Sequence, residues 1–439
     1  MQTTGRITSK FRAAGLLSRR ALLVGASLAA IAAMTPGARA EDPSGELVML
    51  NWVSGSELDI IKELEAGFVK AYPKVTFNDV NLTGTGDMRG AIRTAIMGGQ
   101  KADLLINTWP AFRKELADAG MLRKLDQQWT DLKLGDELSD AWKSLGSTDG
   151  VLYGVTYTFG DRSGIFYRTD SMKKAGIATP PATWADFTAS FAKLNDAKIT
   201  PIAIPAKVWS HTEWFETLLL RTGGVETAAK LAAHQIPWTD PAVKTALKKY
   251  AEMLKANCCG DVNTMLATDW DNAADNVLKA GTAGYELIGM WVNNRAKADY
   301  ALTEGTDYSL FQFPALGAGH DDTSSVDSKE FVGLTSGGNP TAADAFLKWV
   351  NSAEGANIVA KRGLASPSNK VDASLYGAVQ KIAVDAVNKS KVQFVLGDLL
   401  PGDLVDEYRV QLQKFLQDPS DANIDAVTAA IEAKAASAY

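Results

Sequence analysis

Residues 46–80 read ELVMLNWVSGSELDIIKELEAGFVKAYPKVTFNDV, and this stretch decides the fold. Residues 46–52 form an apolar run of strand length, which reads as a buried strand. Val53-Ser54-Gly55-Ser56 breaks it. Over 57–72 the apolar residues Ile60, Ile61, Leu64, Phe68 and Val69 recur at helical spacing, and Pro73 stops the helix. Residues 75–80 alternate as a second strand, 87–97 read as a second helix, and 102–107 (ADLLIN) as a third strand. Strands alternating with helices give a parallel α/β sheet. In such sheets ligands collect at the carboxyl ends of the strands, here residues 51–57 and 107–109.

A second α/β region starts near Val155. Strands are expected at 165–167, 201–204 and 283–291, with helices at 184–195, 214–221, 241–256 and 272–280. The C-terminal part reads as mostly helical, over 341–351, 375–388, 404–417 and 422–436. The 399 residues from Glu41 onward exceed what one core usually serves, so two domains are expected.

Glu41 is the expected mature start because of what precedes it. Arg19-Arg20 stands before an uncharged run at 21–34, followed by Pro36 and the small-residue exit Ala38-Arg39-Ala40. A basic front, a short apolar centre and an A-x-A end make a cleavable export signal, and the arginine pair points to the twin-arginine route. The run is too short to span a bilayer, which needs about 20 residues. The leader holds six of the 45 basic residues and no acid, leaving 39 against 51 acids, a mature net charge of about −12. That balance argues against nucleic acid or an anionic membrane surface as partner.

The two cysteines, Cys258 and Cys259, are neighbours. An oxidising compartment favours their pairing, whereas the short reach between adjacent Cα atoms strains such a ring; a vicinal disulfide and two buried thiols both stand as readings. With His211, His234 and His320 scattered, no metal-ligand spacing exists. Gly84-Thr85-Gly86 opens a helix but is mis-spaced for a dinucleotide loop. Asp269-Trp270-Asp271 begins like a calcium loop, yet it lacks the sixth-place glycine and the final glutamate, and reads as an acidic helix cap. No hydrolase, kinase or zinc-protease signature is present, so neither cofactor nor metal is expected.

The unusual feature is tryptophan, eleven in all. Trp129, Trp142, Trp184, Trp238 and Trp349 fall on helical or turn patterns and read as core. Trp52, Trp109, Trp209, Trp214, Trp270 and Trp291 sit beside small, amide or acidic residues at the ends of elements. Flat apolar faces next to carboxylates and amides suit a sugar ring, whose C–H face stacks while its hydroxyls hydrogen-bond.

Several stretches in order carry a resemblance: NWVSGSELDIIKELEAGFVKAYPKV, IRTAIMGGQKADLLI, DGVLYGVTYTF, SGIFYRTDSMKKAGIATPPATWADF, TDPAVKTALKKYAEML, VLKAGTAGYELIGMWV and AADAFLKWVNSAEGANIVAKRG. The chain resembles the family 1 carbohydrate-binding extracellular solute-binding proteins of ABC importers. The resemblance implies a two-lobe α/β fold, each lobe a mostly parallel sheet flanked by helices, with hinges near 153–157, 308–313 and 366–371. It implies a leader at 1–40, lobe 1 at 41–154 and 310–367, and lobe 2 at 155–309 and 368–439. Matching ligand positions are Trp52, Ser54, Glu57, Asn107, Trp109, Asp161, Trp209, Trp270, the Gly289-Met290-Trp291 turn, Glu330 and Arg362. Met290 stands where monosaccharide-binding relatives commonly carry aspartate.

The expected function is therefore a periplasmic, monomeric subunit that binds a mono- or small oligosaccharide and delivers it to a membrane permease, without catalysis. Two alternatives remain. A polyol or acidic sugar replaces the neutral one, with Arg89, Arg162 or Arg362 facing a carboxylate; or the chain is a glycan hydrolase using Glu57 and Asp161 as acid and base.

Overall fold

The computed structural model describes residues 42–83 and 88–439. The leader and the 84–87 loop lie outside the described residues.

The described strands are β1 (Gly45–Asn51), β2 (Val75–Asn81), β3 (Leu104–Asn107), β4 (Ser147–Thr148), β5 (Val151–Leu152), β6 (Gly154–Asp161), β7 (Gly164–Arg168), β8 (Thr200–Ile202), β9 (Ala283–Leu287), β10 (Tyr308–Gln312), β11 (Thr323–Gly333) and β12 (Lys391–Phe394). One sheet runs β12-β11-β3-β1-β2, with β6 also on β11; a second runs β10-β7-β9-β8; β4 and β5 form a short ladder. β1 pairs in parallel with β2 and β3, as expected from the alternating units. β11 is antiparallel to both β3 and β6, and in the second sheet only β8–β9 is parallel. The parallel character expected of both sheets thus holds for the first units and gives way to mixed pairing elsewhere.

The apolar run of β1 is explained by burial on both faces. Leu47 and Met49 join Ile60, Ile61, Leu64, Phe68 and Ile106 in one core. Leu50 points the other way, to Ile92, Leu105, Phe112 and Leu116. The helix Gly55–Ala71 buries Ile60, Ile61, Leu64 and Phe68. The second lobe has its own core: Phe187 and Phe191 from Trp184–Asp196, Trp214 and Leu218 from Thr212–Ala232, and Leu247 and Tyr250 from Pro241–Lys255. The C-terminal helices Gly402–Gln417 and Asp421–Ala438 close it with Tyr408, Leu412, Phe415, Val427 and Ile431.

The chain passes between sheets on short segments. β6 stays in the first sheet to Asp161 and β7 opens the second at Gly164, so the chain changes sheets at 162–163. The return runs from Gln312 of β10 to Thr323 of β11. Asp161 bolts the two together, accepting from Ser163 N (2.9 Å), Ser324 Oγ (2.7 Å) and Gln312 Nε2 (3.0 Å).

The strand expected over 283–291 ends at Leu287, and Trp291 opens the helix Trp291–Ala298. A Cβ on Gly289 would sit 2.0 Å from the Trp291 ring, so glycine is what lets the chain turn there. Cys258 and Cys259 are joined as a disulfide.

Glu286 of β9 is fully buried, and neither carboxylate oxygen has a hydrogen-bond partner. Burial pushes its carboxyl well above the ordinary glutamate range. The folded state thus keeps a proton that the unfolded chain releases above its ordinary value, so stability falls as pH rises from there. Glu286→Gln should gain stability relative to the parent as pH rises above ~4.5, by at most about 1.4 kcal/mol per pH unit, and should melt higher at pH 8. Melting curves at pH 4, 6 and 8 check this, and the gap should narrow toward pH 4.

Candidate ligand-binding cleft

β11 places the charges of the cleft. Its side chains alternate between faces, and its register sets Asp327 opposite Gly160 and Lys329 opposite Thr158 on β6. Those four residues, with Phe159, Met290, Trp291 and Leu364, line one cavity. A Cβ on Gly160 would lie 2.8 Å from Asp327 Oδ1 and 3.3 Å from Met290 Cβ, so the glycine makes room where the 289–291 turn approaches β6. The free space between these walls is only about 10 Å³, roughly one water.

The charges here are paired. Lys329 Nζ lies 2.6 Å from Glu57 Oε1 at the start of Gly55–Ala71. Arg162 Nη1 lies 3.3 Å from Asp327 Oδ2, and Nη2 pairs with Glu213 of the second lobe. Burial alone would push the Lys329 ammonium down, but Glu57 and Asp327 beside it together outweigh this and hold it above the ordinary lysine range.

Tryptophans flank this row. The Arg162 guanidinium sits 4.6 Å from the Trp291 ring and 5.3 Å from Trp209. Trp291 in turn lies 5.9 Å from Trp209 and 6.0 Å, edge-on, from Trp270. In the first lobe Trp52 and Trp109 are 4.8 Å apart, and Trp52 Nε1 donates to Ile106 O at 2.7 Å. All of these rings are partly exposed, and Trp52, Trp209, Trp270 and Trp291 pack against one core. The structure therefore brings the expected aromatic residues into two clusters, with Glu57 beside them; Ser54 is exposed at the cap of the same helix.

Other expected positions have different roles. Glu330 is buried, bound through both oxygens to Arg113 Nη1 at 2.7 Å and by Asn107 Nδ2 at 2.7 Å. Glu330 and Asn107 thus tie β11 to β3 and to the helix Pro110–Asp118. Asp161 has its oxygens engaged at the passage between sheets, so it does not complete an acid–base pair with Glu57, which meets Lys329. Arg362 meets Glu63 at 2.6 Å, and its carbonyl accepts from Asn294 Nδ2. Trp214, with no exposed surface, belongs to the second core. Asp269 stands at the N-cap position of the helix Trp270–Ala274, but its side chain makes no capping hydrogen bond and instead pairs with Lys207 at 2.7 Å. Asp327 and Lys329 escaped the sequence reading: SSVDSKEF lacks an apolar period, and its only signal is charge alternating within a short stretch.

Residues 54–357 match the family model described as bacterial extracellular solute-binding protein. The chain belongs to that family. The osmoprotective compounds-binding protein GgtB of Synechocystis is 26% identical over 50% of this chain, and the match spans about half (52%) of that relative. The alpha-glucosides-binding periplasmic protein AglE of Rhizobium meliloti is 22% identical over 80% of this chain and 78% of its own length. Among solved structures, the bacterial solute receptor AcbH, described as preferring β-D-galactopyranose, superposes with a TM-score of 0.80 at 22% identity, over 90% of this chain and 99% of that one. A chitin oligosaccharide binding protein follows at 0.78 and 19%, over 90% and 99%. The two-lobe fold of this family accounts for the paired sheets and short passages.

Glu330→Ala leaves Arg113 buried without its carboxylate. The ligand-free protein should lose about 3–5 kcal/mol in denaturant unfolding.

Proposed function

We propose that the protein is the substrate-binding subunit of an ABC importer that closes its lobes on a neutral carbohydrate, a mono- or small oligosaccharide, and presents the loaded form to a membrane permease. The observation that carries this reading is the row Glu57–Lys329 and Asp327–Arg162 set between tryptophan clusters. Paired charges offer donors and acceptors to hydroxyls, and the rings offer stacking faces. The names of AglE and AcbH, both relatives of sugar-binding description, support it.

The charge pairing supports a neutral ligand. Arg162 faces Asp327 and Glu213, Arg362 faces Glu63, and Arg89 lies 3.7 Å from Asp398, so each arginine weighed for an acidic sugar already meets a carboxylate. A polyol is the second reading; the relative GgtB is named for binding osmoprotective compounds, a name that states no chemical class. Export by the twin-arginine route, maturation at Glu41, a periplasmic location and a monomeric state belong to the same proposal. So do hinges at 162–163 and 313–322, and the absence of catalysis, which is supported by the engaged state of Asp161.

The mature protein should be screened by thermal shift against neutral saccharides, polyols and uronic acids. A cognate neutral ligand at 100 times its Kd should add about 2.7 kcal/mol of stability. Trp291→Ala should weaken binding by roughly 1–3 kcal/mol, on the scale of base–aromatic stacking. A response to uronic acids alone contradicts the neutral-sugar reading, and a response to none of the three classes contradicts the carbohydrate reading.

A further inference from the structure

The Cys258–Cys259 disulfide is not among the cleft residues and packs into the core of the second lobe. Its backbone is held firmly: Ile202 N donates to Cys258 O at 2.8 Å, and Asn195 Nδ2 to Asn257 O at 3.0 Å. Asn257 (φ +59°) and Gly260 (φ +70°) turn the chain on either side. The two cysteines differ in access. Cys258 has no exposed surface, whereas Cys259 retains 8%. Cys259 also lines a cavity of about 190 Å³ with Leu254, Lys255, Asn257, Met265 and Leu416. Lys255, Asn257 and Gly260 on its wall are solvent-exposed, so the cavity is open to the outside.

Thiol–disulfide exchange depends on which sulfur an incoming thiolate can reach. Here one sulfur belongs to a residue on a cavity wall, the other to a residue closed inside the core. The charged residue among those lining the cavity is Lys255, whose ammonium attracts an anionic reagent. We propose that Cys259 is a redox-modification site, approached through this cavity by small anionic aliphatic thiols.

The thiolate bonds to Cys259 Sγ as the Sγ–Sγ bond breaks, and Cys258 Sγ leaves with the electron pair and takes a proton from solvent. A second thiolate attacks the reagent's own sulfur in the mixed disulfide and releases Cys259, which is protonated in turn. Two thiols are oxidised to one disulfide, and the protein disulfide is reduced to two thiols. Run in reverse with a small disulfide, the same steps reoxidise the pair without unfolding the protein.

The test uses the mature, oxidised protein in native buffer, treated briefly with limiting 2-mercaptoethanesulfonate and quenched in acid. Fragmentation between the two cysteines locates the adduct, expected on Cys259. Relative to their rates on a short disulfide peptide, 2-mercaptoethanesulfonate should outpace the cationic cysteamine, and Lys255→Glu should reverse that order. In folded single variants an aromatic disulfide should label Cys258→Ser roughly tenfold or more faster than Cys259→Ser. Should either variant fail to fold, mapping on the parent protein decides alone. An adduct on Cys258, equal labelling of the two variants, or reaction only in denaturant overturns the proposal.

Discussion

β11 must bury three charges within four residues, and the geometry of the cleft follows from how it does so. Asp327, Lys329 and Glu330 are each at most 6% exposed. A charge taken out of water needs a close opposite charge and hydrogen bonds, or folding fails by several kcal/mol. Each partner comes from a different element: Arg113 from Pro110–Asp118, Glu57 from the start of Gly55–Ala71, and Arg162 from the passage between the sheets. Satisfying one strand therefore ties together the helix Pro110–Asp118, the start of the helix Gly55–Ala71 and the passage between the two sheets.

The alternation of the strand separates these duties. Glu330 faces β3, where Asn107 and Arg113 saturate it, and is lost to ligand chemistry. Asp327 and Lys329 face the cavity beside Trp291. Arg162 joins the lobes electrostatically, since it holds Asp327 of the first sheet, Glu213 of the second lobe and two tryptophan faces. Asp161, one residue before it, holds Gln312 and Ser324 at the opposite ends of the return passage.

The first units of the fold were legible because β1 and β3 are covered on both faces and so spell continuous apolar runs, while Ile60, Ile61, Leu64 and Phe68 keep helical period. β11 was not legible. Its burial is satisfied by charge pairing across hundreds of residues, and nothing local in SSVDSKEFVG announces a strand. The same blindness explains the site: tryptophans at element ends were found by their neighbours, yet Trp214 has such neighbours too and lies in a core. Asp161 and Glu330 have the residue type a sugar site needs, but their partners Gln312, Ser324 and Arg113 are distant in sequence, and those partners assign them to structure. Lys329 and Asp327 could be recognised only once β6 lay beside them.

The Lys329–Glu57 pair is proposed to serve the ligand, whereas Glu330–Arg113 holds β11 to the helix Pro110–Asp118. The double variant Glu57→Gln/Lys329→Met removes both charges of the cleft pair together and leaves neither stranded. Its ligand-free unfolding free energy and its affinity for the sugar that stabilises the parent should be measured side by side. Unfolding should stay within about 1 kcal/mol of the parent, while affinity falls roughly tenfold or more. Parent-like affinity, or a loss of folding stability as large as that expected from breaking Glu330–Arg113, would contradict the account.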